Sequence, residues 1–128
     1  MFNAKSETAA TLPSFREPYK RQRCVVPVSG FYEWARRQGH KQAYFLRSVE
    51  NTGLLLAGLW DRWQGVDDAG QSHSIDSFTI LTTSASPSMQ TLHHRQPVLL
   101  DQEGARRWLD PNIATAELEH FFAPQLVT

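Results

Sequence analysis

Cysteine is nearly missing from this 128-residue chain. Cys24 is the only one, so no disulfide can form within the chain, and a reducing cytoplasm is the expected compartment. Long apolar runs are missing too. The longest, Leu54 to Trp60, is far too short to cross a bilayer, so no membrane partner is expected. No apolar stretch follows Met1-Phe2-Asn3-Ala4-Lys5, which excludes a secretory signal at that position. There is no low-complexity tract, no internal repeat, no Gly-rich phosphate loop and no paired zinc motif. Net charge is absent as well, since 13 basic residues balance 13 acidic ones.

What is present suits one domain over residues 1–128 with one core: 41% hydrophobic residues, including four Trp, seven Phe and three Tyr. The neutral total hides an uneven distribution. Residues 1–47 carry nine Lys or Arg against three Glu, whereas residues 48–128 carry four Arg against ten acids. A basic surplus of that size either attracts a polyanion or simply forms a solvated face.

The chain reads as many short strands followed by a few helices. Ser6 to Ala10 resembles a short helix capped by Ser6, and Pro13 and Pro18 bracket a loop. Cys24–Val28 and Phe31–Trp34 read as strands, Arg36–Lys41 as a polar turn around Gly39, Ala43–Leu46 as a strand and Asn51-Thr52-Gly53 as a turn. Leu54–Trp63 gives one or two strands, Gln64–Asp76 an exposed loop, and Phe78–Thr82 another strand. One or two helical turns are expected over Ala85–Gln90 and a strand over Pro97–Leu100. Asp101 should cap a helix that runs through Leu109 and stops at Pro111, and a last helix is expected over Ala114–Phe122. The expected class is α+β, built on a curved mixed or antiparallel sheet, barrel-like, with a few flanking helices.

Few residues suggest chemistry. On a strand, Glu33 shares a face with Phe31, opposite Tyr32 and Trp34; such a carboxylate is partly desolvated and suited to proton transfer, or else it faces water or Arg36. His93-His94-Arg95 lies in a connecting segment. Its imidazoles suit acid–base work and Arg95 suits a phosphate, unless the segment is only a polar surface turn. Two adjacent His should point apart, and no other ligand has zinc spacing to them, so neither a metal nor a cofactor is expected. His40, His73 and His120 read as surface residues. Asn3 can hold a sugar oxygen and Lys5 a phosphate, although taken in isolation the pair reads first as a frayed terminus. Cys24 follows Arg23, which favours a thiolate, yet it opens a β-branched strand, where a free Cys is usually a small buried hydrophobe.

Taken together, four ordered blocks resemble one family. Asn3-Ala4-Lys5-Ser6-Glu7-Thr8 is similar to an Asn-Ala-Arg-x-Glu-Thr motif, and Arg23 to Trp34 to Arg-Cys-hydrophobic-x-Pro-x-x-Gly-Phe-Tyr-Glu-Trp. Leu55 to Trp60 follows. Phe78 to Thr83 with His93 to Val98 is similar to Phe-Thr-Ile-x-Thr and His-Asp-Arg-x-Pro-Val. The family is the SOS-response-associated peptidase (SRAP) domain. The resemblance implies a peptidase- or lyase-like DNA-damage protein that binds single-stranded or junction DNA and captures abasic sites. An amino-terminal Cys, freed by removal of the initiator Met, would form a thiazolidine crosslink with the sugar aldehyde.

By the same resemblance Asn3 holds the abasic sugar, Glu33 shuttles protons and assists removal of the Met, and His93 assists sugar ring opening and crosslink reversal. Lys5 and Arg95 contact the DNA backbone, and Thr82 matches a Thr near the pocket. The full-length protein is expected to be monomeric, and nucleoid-associated in a bacterium. The family's Met-Cys-Gly-Arg opening and its last strand region, with a Pro-Val-Ser motif, are not in this sequence. A truncated product, an internal start or a subset of a longer protein is therefore expected, with crosslinking lost and sheet edges exposed.

Overall fold

The computed structural model describes residues 2–37, 39–48, 52–87, 89–90 and 92–122. Among the described residues eight strands and two α-helices follow one another: β1 (Phe2–Lys5), α1 (Arg16–Arg21), β2 (Arg23–Val28), β3 (Phe31–Arg37), β4 (His40–Leu46), β5 (Leu54–Val66), β6 (Ser72–Ser84), β7 (Arg95–Pro97), β8 (Leu99–Leu100) and α2 (Gln102–Trp108). A 3₁₀ helix, Thr115–Phe121, stands where the last helix was expected. The result is a curled, half-barrel mixed sheet with few helices, as the sequence implies.

The main sheet runs β1-β6-β5-β2, with β1 parallel to β6 and the other pairs antiparallel. β5 and β6 pair from Val66↔Ser72 back to Gly58↔Ile80 and then diverge. The segment carrying β7 and β8 fills the fork: β7 pairs with β6 and β8 with β5. Between them the Val98 N–H donates to the Leu81 carbonyl at 2.8 Å, and the Val98 carbonyl accepts from the Ala57 N–H at 3.0 Å. β3 and β4 form a separate two-stranded ribbon. Gly30 permits its approach, since a Cβ there would sit 2.4 Å from the Leu46 carbonyl oxygen.

Strand alternation sorts the sheet residues onto two faces. On one, Ala4, Ala57, Leu59, Leu81 and Leu100 meet Tyr19 of α1, Trp108 of α2 and Leu118. Trp108 is fully buried, with Tyr19 at 6.3 Å and Phe121 at 6.1 Å in edge-on contact, and its indole N–H donates to the Cys24 carbonyl. On the other face Leu56, Ile80 and Leu99 meet Met89, Phe31 and Leu46, so the ribbon covers that side.

Several expectations are corrected. Ser6–Ala10 forms turns rather than a helix. The Thr8 and Ala9 N–H groups both donate to the Lys5 carbonyl, and the Ser6 hydroxyl donates to Glu7 instead of capping. The segment around Pro13 and Pro18 contains α1, because Pro18 falls in the first turn, where its missing N–H has no intrahelical partner to lose. Gln64–Asp76 is not a loop. β5 and β6 continue through it as a two-stranded arm closed by a turn at Asp67–Gln71, where Gly70 has φ +80 and the Asp67 carboxylate accepts from the Ala69 and Gln71 N–H groups. Leu54–Trp63 belongs to one strand, within the one or two expected. Asp101 does cap α2, accepting from the Gly104 N–H at 2.6 Å. Gly53 has φ +87, as its expected turn requires; Asn51, and Ser88 within the Ala85–Gln90 segment, lie outside the described residues, as do the side chains of Arg36 and Arg37.

Candidate functional site

A cleft of about 210 Å³ opens on the sheet face opposite α1 and α2. Its floor is Leu56 and Ile80, and its walls include Asn3, Glu33, Thr82, His93 and Arg95. Five of the six proposed site residues therefore meet in one place, although they come from four separate stretches of chain. Lys5 is outside the lining; it ends β1 in register with Thr82 and is exposed.

Each residue is placed by its own element. Asn3 is not frayed: β1 pairs it in register with Ile80. Glu33 stands on the half-buried face of β3 with Phe31, opposite Tyr44 in the ribbon, while Tyr32 and Trp34 point outward, 67% and 60% exposed. Thr82 is paired on both edges of β6, with Lys5 of β1 on one and Pro97 of β7 on the other.

His93 precedes β7. Its Nδ1 lies 3.1 Å from the Arg95 backbone nitrogen, which must donate, and 3.2 Å from the Arg95 carbonyl oxygen. The rings of His93 and His94 do not point apart but stack, with centroids 4.6 Å apart and planes 22° apart. Strand alternation begins only at Arg95, so nothing forces the two preceding side chains to opposite sides. Among the described residues no group of three or more His, Cys, Asp or Glu is placed to hold a metal ion, and no helix is long and apolar enough to cross a membrane.

Arg95 is engaged within the chain. Its Nη1 donates to Glu7 Oε2 at 2.6 Å and its Nη2 to Glu7 Oε1 at 2.9 Å, with further contacts to the Thr82 carbonyl at 2.9 Å and hydroxyl at 3.1 Å. The hydrogen bonds from Arg95 hold the Glu7 carboxyl down at about 2, and the same pairing raises the Arg95 pKa. Glu7 had no assigned task in the sequence, because its partner lies 88 residues away. Gln96 went unnoticed as well, although its partner is only ten residues away. Its side chain is buried and accepts from the Ser86 N–H at 2.8 Å, which ties down the turn leading to His93.

Arg23 does not activate Cys24. Its guanidinium is spent on the carbonyls of Tyr19, Lys20, Trp108 and Asp110, tying together the ends of α1 and α2. Burial pushes the Cys24 thiol up, as expected for a small apolar residue in a strand. The basic surplus of residues 1–47 is accordingly spread out. Arg23 is half-buried and spent on backbone carbonyls, and Arg16, Lys20 and Arg21 sit on α1, on the face opposite the cleft.

With this geometry in place, comparisons with known proteins agree on a family. The model of a family described as SOS response associated peptidase (SRAP) matches residues 1–127. The chain is 33% identical over 112 residues to abasic site processing protein YoqW of Bacillus subtilis (strain 168), covering 87% of this chain and 48% of that protein. It is 33% identical over 128 residues to abasic site processing protein HMCES of Gallus gallus, covering 84% of this chain and 37% of that protein. The chain thus spans half or less of the length of these curated relatives. A crystal structure of a Bacteroides thetaiotaomicron protein superposes with a TM-score of 0.85 at 34% identity, over 95% of this chain and 53% of that one. One from Bordetella bronchiseptica gives 0.82 at 31% identity, over 97% and 60%.

Proposed function

Since this chain belongs to the SOS response associated peptidase family, we propose that it takes part in abasic-site processing, with its cleft receiving the sugar of an abasic site in single-stranded or junction DNA. The observation that carries the reading is the convergence of Asn3, Glu33, Thr82 and His93 on one cleft. The volume of about 210 Å³ lies below the ~300–1,000 Å³ of sites for drug-sized ligands. That suits a pentose without its base, and the relatives are named for abasic sites.

Ring opening of such a sugar needs a base to take the proton from the hemiacetal hydroxyl and an acid to protonate the departing ring oxygen. Glu33, as the carboxylate, takes the first task, and His93, donating from Nε2, the second. The Asn3 amide, on the cleft-facing side of β1, hydrogen-bonds a sugar oxygen. Lys5 supplies the cation for a flanking phosphate, because Arg95 is already paired. The aldehyde that forms is open to attack by an amine, which adds to the carbonyl carbon and, with loss of that oxygen as water, gives an imine, Glu33 relaying the protons. A thiazolidine needs amine and thiol on the same residue, so Cys24, whose nitrogen is a peptide amide, cannot form one. Crosslinking of that kind would need a residue carrying both a free amine and a thiol.

The test is incubation with single-stranded DNA carrying one abasic site, with and without borohydride. A borohydride-dependent adduct that Glu33→Gln and His93→Ala each reduce at least tenfold is the expected result. Retardation on a gel without any adduct would favour the second reading, a binding module whose cleft is chemically silent. A heat-stable adduct without reductant would contradict the argument about Cys24, and no binding to the abasic strand would end the proposal.

A further inference from the structure

Glu7 belongs to the block Asn3–Thr8, yet the chemistry above gives it no task. We propose that Glu7 is a positioning residue for His93: by anchoring the Arg95 side chain it fixes the Arg95 peptide against the imidazole, so that His93 presents Nε2–H to the cleft. The use of that proton rests on the reading of the cleft given above; the geometry does not.

The anchor is built from both ends of the guanidinium. Nη1 and Nη2 each take one Glu7 carboxylate oxygen, and Nη2 also reaches both oxygens of Thr82. The Arg95 side chain is only 16% exposed. A DNA phosphate could use this fork only by displacing a carboxylate that already occupies it in the two-point geometry a phosphate would adopt. Arg95 is therefore a strut rather than a phosphate clamp. The strut stays charged through the neutral range, because Glu7 titrates only near 2.

The same residue holds the imidazole by its backbone. The Arg95 N–H, an obligate donor, approaches Nδ1 at 3.1 Å, leaving the proton of neutral His93 on Nε2. The Arg95 carbonyl oxygen stands 3.2 Å from the same Nδ1 and would accept if the proton were there instead. The two bonds exclude each other and their lengths differ by a tenth of an ångström, so a small movement of this peptide decides the tautomer. In the other tautomer Nε2 would show the cleft a lone pair and could not donate to a ring oxygen. A side chain held at four contacts, in strand β7, keeps the peptide from shifting.

The experiment reads the imidazole nitrogens of His93 by long-range ¹H–¹⁵N spectroscopy on the free chain, with no DNA present. The wild type is expected to show one tautomer, protonated at Nε2. In Glu7→Gln and Glu7→Ala the two nitrogen resonances should move toward each other as both tautomers populate, and Arg95→Lys should behave in the same way. The Nδ1–H tautomer in the wild type, or an unshifted Nε2–H spectrum in the Glu7 variants, would overturn the proposal. Glu7→Gln, nearly isosteric, decides the matter if the alanine variant fails to fold. A second measurement is the salt dependence of binding to an abasic strand. The strut role leaves its slope unchanged in Glu7→Gln. Tighter binding with a slope steeper by about one would mean that Glu7 competes with phosphate for Arg95, which also overturns the proposal. Because the spectra need no ligand, an abasic reading that fails leaves the first result standing, and a failed tautomer result leaves the abasic reading intact.

Discussion

The two faces of the main sheet are organised differently. On the helix-covered face, Trp108, Leu118 and Leu81 are fully buried, and the polar atoms there are paired: the Trp108 indole with Cys24, the Arg23 guanidinium with four carbonyls. On the cleft face the apolar floor of Leu56 and Ile80 is rimmed by half-open polar groups, and what holds the rim is the Glu7–Arg95–Thr82 network rather than close packing. One face supplies the stability that lets the other leave polar side chains unburied.

The first way to break this contrast is a deletion on each side. Trp108→Ala should cost about 3–5 kcal/mol in a denaturant melt, since a fully buried indole leaves a cavity and strands the Cys24 carbonyl. Glu33→Gln should change stability by less than ~0.5 kcal/mol while removing most adduct formation. Equal stability losses from the two would dissolve the distinction.

A smaller effect is expected from Arg95→Met, which strips Glu7 and Thr82 of their shared donor. About 1–2 kcal/mol should be lost, less than for a fully buried pair because Glu7 is 52% exposed. Acid titration sharpens the point. The folded chain holds Glu7 near 2, below its ordinary 4.5, so its contribution is full above about pH 4.5 and fades as pH falls toward 2. Discounted for solvent screening, it amounts to about 1 kcal/mol. Melts at pH 5 and pH 2.5 should differ more in the wild type than in Glu7→Gln; identical differences would remove Glu7 from the account. Smallest of all should be Trp63→Ser on the arm. That side chain is 58% exposed, and its loss should shift stability by under ~0.5 kcal/mol in the same melt.

The fold was legible where local signals and packing agree. The strands around Gly30, the Asp101 cap and the helix ending on Trp108 follow from composition and spacing. Helix α1 was hidden by Pro18, which marks a loop unless the helix start is known. The arm was hidden because most of its side chains are exposed, so no apolar alternation distinguishes it from a loop. At the site, Asn3, Glu33, Thr82, His93 and Arg95 could be named from motifs, but their meeting depends on β1 running parallel to β6, a pairing without local signature. The distant partners of Arg23 and Arg95 lay further out of reach, since each guanidinium also bonds residues more than 80 positions away.

Val98 carries a consequence for how the molecule opens. Its amide is bonded to β6 and its carbonyl to β5, so exchanging the Val98 amide proton requires the inserted segment to come away from β6. Protection there should approach that of global unfolding, while the Leu92–His94 turn, four to six residues upstream, should exchange through local fluctuations. The imidazole would then sit at the boundary between the slowest and the fastest breathing segments, mobile enough to meet a substrate yet tethered to a point that hardly yields.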